Sequence, residues 1–194
     1  MKKRIFALIF ITISIFLLFS CGNNNGNNNE KDGDVIFSAS VEVSIVKPSG
    51  ENAEELNGAL ELLADAILAK TNKRPMIVDD NYFNLEHEIA VGETSRDVSA
   101  KAMDKLLDVI DDADDEALEE NDRYIGYAIY SNGKSVAIVW SDELLIGDAI
   151  DYFTESFVVS DSLKLDAGYI KTQITSRAEY LEAMKQTDTE AAWL

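Results

Sequence analysis

Histidine and cysteine, the side chains used most often for metal binding and nucleophilic catalysis, occur once each in this chain of 194 residues. His87 stands between two glutamates, and a zinc-binding HExxH helix would need a second histidine where Val91 stands. An EF-hand calcium loop starting at Asp112 would need glycine where Ala117 stands. We therefore expect no catalytic residue, no metal and no cofactor. A pair of carboxylates that hydrolyses glycosides is not excluded by the sequence, because the sequence does not show how far apart two carboxylates lie in the fold.

Three aromatic residues of one predicted hairpin offer a different chemistry. Tyr127, Tyr130 and Trp140 could present ring faces on which a sugar stacks, with the polar atoms of the tyrosines and the indole at hand for hydrogen bonds. Aromatic residues in strands also serve commonly as core residues or as cross-strand pairs. The sequence thus leaves two interpretations of these side chains, as ligand contacts or as part of the core.

The lone cysteine, Cys21, follows a segment with the features of an export signal. Residues 2–4 are basic, and residues 5–19 form an apolar run. The sequence Leu18-Phe19-Ser20-Cys21 resembles the lipobox that precedes the lipid-modified cysteine of bacterial lipoproteins. The resemblance implies cleavage before Cys21 and attachment of its acyl chains, such as palmitate, to the cell membrane on the extracytoplasmic face. The alternative is an uncleaved anchor, but the run is short of the roughly 20 residues that cross a bilayer.

Composition excludes some classes of partner. The chain has 36 acidic and 17 basic residues and a formal net charge of −19. Cleavage of the leader would make the charge more negative, because the charged side chains of residues 1–20 are all basic. Such a field repels phosphate backbones, so we expect no binding to nucleic acid. With one cysteine no disulfide can form within the chain, and the fold must depend on its hydrophobic core.

The remaining chain divides into a tether and one domain. Residues 22–34 read GNNNGNNNEKDGD and hold no apolar side chain that could offset the entropy of ordering, which predicts a flexible tether. Alternating apolar residues at 35–46 predict one half-buried strand, and residues 76–78, 88–91 and 169–174 predict three more. Asn132-Gly133 lies between two further strands, at 124–130 and 135–140, and predicts a hairpin with a type I′ turn.

Helices alternate with these strands. Apolar residues at helical spacing predict three buried stripes: Leu56, Leu60, Leu63 and Ile67; Met103, Leu106, Leu107 and Ile110; and Ile146, Ile150, Phe153 and Phe157. Thr94 or Ser95 is expected to cap the second helix. Together the elements predict an α/β (α+β) fold with helices packed on a small mixed sheet.

The end of the chain carries two capping-box patterns. Ser176 with Glu179 predicts a fourth helix, and Thr187 with Glu190 predicts the start of another. That last helix would be barely a turn long at Leu194, which is too short to be stable alone. Either the protein continues beyond this point or Trp193 packs back on the domain.

Two of these segments together resemble a known family. They are the strand and turn EIAVGETSR at residues 88–96 and the hairpin GYAIYSNGKSVAIV at residues 126–139. Both are similar to the non-catalytic N-terminal domain of α-glucuronidases and the related accessory domain of β-hexosaminidases, and the similarity extends over roughly residues 35–175. The resemblance implies a small mixed sheet with helices packed on it, placed ahead of a catalytic barrel that holds the active-site residues. The family's helix after the hairpin usually begins with Arg-Gly, where this chain has Ile146-Gly147.

These observations predict an organisation and a function. Residues 1–20 form a signal peptide, 21–34 a lipidated tether, 35–175 an accessory-like domain, and 176–194 the helical start of a further region. We expect a surface-anchored lipoprotein that assists glycan binding or glycoside hydrolysis, with a glycan or a glycosidase catalytic domain as partner. The alternative is a solute-binding or protein-binding lipoprotein with no link to carbohydrate.

Overall fold

The computed structural model describes residues 34–49, 53–113 and 122–191. The leader, Cys21 and Trp193 lie outside this range, so the predictions made for them are not addressed by the structure. The strands are β1 (Val35–Ser38), β2 (Ser44–Lys47), β3 (Met76–Asp79), β4 (Glu88–Val91), β5 (Tyr124–Asn132), β6 (Val136–Trp140), β7 (Ser162–Lys164) and β8 (Ala167–Ser176). The helices are α1 (Ala53–Thr71), α2 (Asp97–Ala113), α3 (Ile146–Phe157) and α4 (Arg177–Ala191), and a 3-10 turn (Glu143–Leu145) precedes α3.

Six strands form one mixed sheet in the order β3-β2-β4-β6-β5-β8. Strands β3, β2, β4 and β6 are mutually parallel, whereas β5 is antiparallel to both β6 and β8. Strands β1 and β7 pair in a separate antiparallel sheet of two strands. The predicted α+β fold, with helices on a mixed sheet, is confirmed.

Helices cover the sheet on both faces and enclose two cores. Helices α1 and α3 pack on one face, where Ile45, Ile89, Ile138 and Phe153 lie in a single buried cluster. Helix α2 packs on the other face through Ala102 and Leu106, against Ala90, Ala128 and Val139. The central strands are therefore apolar on both sides, as expected of parallel strands between two helical layers. Within the described residues, no helix is long and apolar enough to cross a membrane.

The single strand predicted at residues 35–46 is wrong. The chain turns after β1, because the Ser38 hydroxyl accepts hydrogen bonds from the backbone N–H groups of Ser40 and Val41. Strand β1 then pairs with β7, a strand that the sequence pattern did not reveal, while β2 enters the middle of the main sheet. The apparent alternation ran across a turn made by short polar side chains, which compete for backbone hydrogen bonds.

The first three helices form where apolar spacing predicted them. The predicted stripe of α1 is buried, and the helix ends at Thr71 because Asn72, which follows it, has a φ of 59°. In α2 the stripe includes Leu106 and Ile110 as predicted, but Leu107 is 43% exposed. Smaller residues, Val98 and Ala102, take part in the stripe instead and let the helix approach the sheet closely.

The hairpin of β5 and β6 is confirmed, but its turn type is not. Only Gly133 has a positive φ in this loop, at 90°, whereas a type I′ turn requires a positive φ at Asn132 as well. The Asn132 carboxamide instead accepts hydrogen bonds from the N–H groups of Lys134 and Ser135. The Asn132 N–H donates to the Ser135 carbonyl oxygen at 3.1 Å, in register with the pair of Ser131 and Val136, so Gly133 and Lys134 connect the two strands.

Helix α4 begins as predicted but continues further. The Ser176 hydroxyl accepts a hydrogen bond from the Glu179 N–H at 3.1 Å, which is one half of the capping box. The helix then runs through Thr187 without a break to Ala191. The prediction of a new helix at Thr187 is wrong, because a capping-box sequence acts as a start signal only where the preceding residues are not already helical.

Candidate functional site

The order in which strands are added to the sheet reverses between β2 and β4. The connection after β2 leads to β3 on one side, and the connection after β4 leads to β5 and β6 on the other side. From β2 the chain passes through α1 on one face to β3, and from β4 it enters α2 on the opposite face. Open parallel sheets bind ligands in the crevice outside such neighbouring strand ends, because the two connections diverge there. The carboxyl ends of β2, β3, β4 and β6, with the residues that follow them, are therefore the best candidate for a functional site, and we call this region the carboxyl crevice.

Gly92 lets two large side chains meet at the carboxyl crevice. It follows β4 directly and has a φ of 84°, a backbone conformation that side-chain-bearing residues rarely adopt. A Cβ atom on Gly92 would stand 3.3 Å from Cγ of Pro48 and 3.3 Å from Cη2 of Trp140. Pro48 follows β2 and Trp140 ends β6, so the three strand ends converge on the bare backbone of Gly92.

Asp80 ties two sides of the carboxyl crevice together. Its carboxylate accepts hydrogen bonds from the Ser49 N–H at 3.0 Å, the Ser49 hydroxyl at 2.6 Å and the Ser95 N–H at 2.8 Å. Burial alone would raise the pKa of Asp80, but these hydrogen bonds and the charge of Arg96 outweigh it and hold the pKa below its ordinary value. Asp80 is thus an anion at neutral pH that fixes the segments after β2 and β4.

A buried ion pair holds the connection between β3 and β4. Residues 80–87 form this connection without a helix, and they pass β2 to reach β4. Nε of Arg96 lies 2.9 Å from Oε2 of Glu88, and both side chains are almost fully buried. The other guanidinium nitrogens of Arg96 donate to the carbonyl oxygens of Asp80 and Tyr82, each at 3.0 Å. One arginine thus satisfies backbone acceptors that an α-helix would have satisfied internally.

The same connection carries an exposed aromatic pair. The rings of Tyr82 and Phe83 lie with their centroids 4.3 Å apart, and Phe83 is 66% exposed. Both carbonyl oxygens accept hydrogen bonds from Arg96, at 3.0 Å and 3.5 Å, so the backbone that carries the two rings is fixed. Two apolar rings on a fixed backbone beside the carboxyl crevice can contact a partner without a large loss of backbone entropy.

The structure does not bring the three predicted aromatic contacts onto one surface. Tyr127 is 6% exposed and packs in the core under α1 and α3, whereas Tyr130 is 8% exposed and packs in the core under α2. Burial raises the pKa of Tyr127, whose hydroxyl donates to Oε1 of Gln173. Trp140 lies opposite Tyr127 in the hairpin and is only half-buried. Of the three, Trp140 alone reaches the carboxyl crevice.

Two further features lie away from the carboxyl crevice. His87, which precedes β4, has its Nδ1 3.3 Å from the Lys134 carbonyl oxygen, and the described residues contain no group of three His, Cys, Asp or Glu side chains placed to hold a metal. A cleft of about 240 Å³ lies between the amino ends of β2 and β3 and the end of α1. Its basic residues are already paired, Lys73 with Glu42 and Arg74 with carboxylates of α1, so the cleft offers little free charge to a ligand.

Alanine at position 92 is expected to destabilise the protein by about 2 kcal/mol. A residue with a Cβ atom costs about 1–2 kcal/mol in the left-handed region, and the tight contacts with Pro48 and Trp140 add to that. Urea unfolding of Gly92→Ala against the unmodified protein measures the change. The matched control is Gly58→Ala in α1, where a Cβ meets nothing within 4 Å and helix propensity predicts a gain of about 0.5–1 kcal/mol. Equal effects of the two substitutions would contradict the geometry given for Gly92.

The polar residues of the carboxyl crevice were not identified from the sequence. Asp80, Ser49 and Ser95 are ordinary loop residues in sequence, and their link depends on which strand ends are neighbours. Two signals were available: Gly92 directly after a strand, and Trp140 at the end of another. Neither signal names a ligand. Searches of protein-family models and of curated proteins find no match to this chain.

Proposed function

We propose that this chain is a surface lipoprotein whose domain is a non-catalytic accessory module for glycan handling. An acyl anchor on Cys21 holds it at the extracytoplasmic face of the cell membrane, and the carboxyl crevice contacts the glycan through Trp140. The observation that carries the proposal is the half-buried indole of Trp140, positioned over Gly92 where three strand ends converge. Ser49, Asp80 and Ser95 of the same crevice provide hydroxyl and carboxylate groups.

The membrane part of the proposal is supported by sequence. The basic start, the apolar run and the lone Cys21 come in the order of a lipoprotein leader, and an Asn-rich segment without apolar side chains follows. The described domain starts at Asp34, at the end of that segment.

The glycan part is supported by the resemblance to accessory domains of glycosidases and by the fold. The implied architecture, a small mixed sheet with helices packed on it, agrees with the sheet and helices described above. Fold agreement alone does not establish function. The added support is local, because sugar sites combine an aromatic surface with a few placed polar groups, and the carboxyl crevice has both.

Lipid attachment is tested by Cys21→Ala in a bacterial host. We expect the unmodified protein to partition into the detergent phase and its mature N-terminal peptide to carry the mass of acyl chains. The Cys21→Ala variant should lack those acyl chains, because lipidation requires the thiol. Full-length protein in the cytosol, with an intact leader and no fatty acid, would overturn the membrane part and leave the glycan part standing.

Glycan contact is tested by an array probed with the lipidated protein in detergent micelles. We expect reproducible binding to a set of oligosaccharides that is lost in Trp140→Ala and largely kept in Trp140→Phe, which retains an aromatic ring. Thermal melting of both variants verifies that they are folded at the assay temperature. An array without signal, or Trp140→Ala that binds as the unmodified protein does, would overturn the glycan part. Capture of a specific protein in the first case would favour the function without carbohydrate.

A further inference from the structure

Strand β8 leaves a long edge of the main sheet open. It is ten residues long, and among the described residues it pairs with β5 on one side only. Most of its side chains are exposed or half-exposed, including Ile170 at 39%. An edge strand presents unpaired N–H and C=O groups, so it can accept another strand.

The two edges of this sheet differ in their protection. At the opposite edge, β3 is four residues long, follows Pro75 and ends at Asp79, which lies 3.6 Å from Lys47. Short length, proline and charge are the usual means by which proteins prevent edge pairing. Strand β8 has no proline and only one charged residue, Lys171, although the chain as a whole carries a net charge of −19. Strand β8 itself therefore adds no acidic side chain that would repel a second copy at this edge.

The start of α4 does not cover this edge. Nε of Arg177 lies 3.1 Å from Asp142, and the Tyr180 hydroxyl donates to the Leu144 carbonyl oxygen at 3.0 Å. Asp142 and Leu144 follow β6, which lies on the inner side of β5. The first turn of α4 is therefore directed toward the middle of the sheet and away from the open side of β8.

We infer that the open edge of β8 binds the β8 edge of a second copy of this chain, antiparallel and about a twofold axis at Thr172. In that register Ile170 of each copy faces Ile174 of the other, and the two Thr172 residues face each other. Lys171 of each copy faces Gln173 of the other. Apolar pairs and Thr-Thr pairs across strands are favourable, and no like charges are opposed.

Neighbouring registers are worse. A twofold axis normal to the sheet keeps each side chain on its own face, so only residues that point to the same face can lie opposite each other. Neighbouring registers therefore move the axis along β8 by one residue at a time. One step moves the axis to Lys171 and sets the two lysines opposite each other, which is destabilising. A step the other way moves the axis to Gln173 and leaves Ile170 opposite Ser176. The register about Thr172 alone pairs isoleucine with isoleucine and keeps the lysines apart. It also falls in the part of β8 that pairs regularly with β5, from Ile170 onward.

The proposed dimer has a defined dependence on salt. The two copies repel each other through their net negative charge, and salt screens that repulsion because the Debye length falls from about 10 Å at 0.1 M to about 3 Å at 1 M. Edge pairing depends mainly on backbone hydrogen bonds and apolar side chains, which salt weakens far less. Self-association should therefore strengthen as salt is raised.

Charge variants at position 173 test the register. Sedimentation equilibrium is measured on the full-length chain in excess detergent micelles, at about 0.05 M and about 0.5 M salt. Gln173→Lys places a lysine opposite Lys171 at two symmetric positions of the dimer and should weaken dimerisation by on the order of tenfold. Gln173→Glu creates two opposite-charge pairs instead and should strengthen dimerisation by a similar factor. Gln173→Ala gives the baseline, because it loses the hydrogen bond from Tyr127 without adding charge.

Net charge alone predicts the reverse order, since Gln173→Lys makes each copy less acidic and Gln173→Glu makes it more acidic. The order expected from the register therefore cannot arise from general repulsion. Thermal melting verifies that each variant is folded. A monomer at every concentration and salt level, or an order of dimer strength that follows net charge, would overturn the inference. Neither result depends on lipid attachment or glycan binding.

Discussion

Replacing Arg96 with alanine is expected to lower the free energy of unfolding by about 3–5 kcal/mol. The substitution leaves the Glu88 carboxylate buried without its counter-charge, although it still accepts a hydrogen bond from the Leu85 N–H at 2.8 Å. It also removes the guanidinium donor to the Tyr82 carbonyl oxygen and one of two side-chain donors to the Asp80 carbonyl oxygen, which keeps the Ser95 hydroxyl at 2.8 Å. A buried charge or acceptor that loses its partner costs far more than the same loss at the surface.

The measurement is urea unfolding followed by circular dichroism, with Arg74→Ala as the matched control. Arg74 also contacts two carboxylates, those of Glu61 and Asp65, but all three side chains are substantially exposed. Solvent screens exposed pairs, so we expect Arg74→Ala to shift the unfolding midpoint far less than Arg96→Ala. Similar midpoints for the two variants would contradict the assignment of Arg96 as the residue that holds residues 80–87.

The loss of Arg96 should also loosen the segments that form the carboxyl crevice. Arg96 fixes Asp80 through its carbonyl oxygen, and Asp80 in turn binds Ser49 and Ser95. The crevice is therefore held by a chain of contacts that starts at a buried ion pair on the sheet. This order explains how a connection without a helix can present Tyr82 and Phe83 in fixed positions.

Elements whose signals are local were predictable from the sequence. The spacing of Leu56, Leu60, Leu63 and Ile67 defines one face of α1 wherever that helix packs, and all four are buried. Asn132-Gly133 marks a reversal of the chain even though the turn formed is not the expected one, because the glycine supplies the positive φ in either case.

Features that depend on strand order were not predictable. The hydrogen bonds of Asp80 join residues 31 and 15 positions away, and they exist only because β2, β3 and β4 are neighbours. The pairing of β1 with β7 likewise joins segments that lie far apart in the sequence. A single sequence carries no signal for either contact.

The placement of Tyr127 and Tyr130 is an intermediate case. Residues three apart in a regular strand point to opposite faces of the sheet, so these two rings could not form one platform once β5 was taken as a strand. The strand was predicted, and its alternation was the available signal. Trp140 differs because it is the last residue of β6, where the helical layers no longer cover it completely.

Alanine at position 126 is expected to destabilise the protein by about 3 kcal/mol, at the upper end of the cost of overpacking. Its Cβ would stand 2.5 Å from the Gln173 carbonyl oxygen and 2.7 Å from Cγ2 of Ile174, both on β8. Strand β5 cannot move away freely, because Gly126 is tied to Ser141 after β6. The Gly126 N–H donates to the Ser141 hydroxyl at 2.9 Å, and the Ser141 N–H donates to the Gly126 carbonyl oxygen at 2.9 Å.

Because the clash is with backbone atoms, relief requires a shift of β8 itself. Cδ1 of Leu106 in α2 lies 3.2 Å from the same Cβ, so the new methyl group cannot move toward the core under α2. Urea unfolding measures the loss, with Gly147→Ala in α3 as the control, since a Cβ there meets nothing within 4 Å. Hydrogen exchange adds a local readout: amides of β5 and β8 should lose protection before those of β2 and β4. A Gly126→Ala protein with unchanged stability would mean that β8 does not lie against β5 in this register.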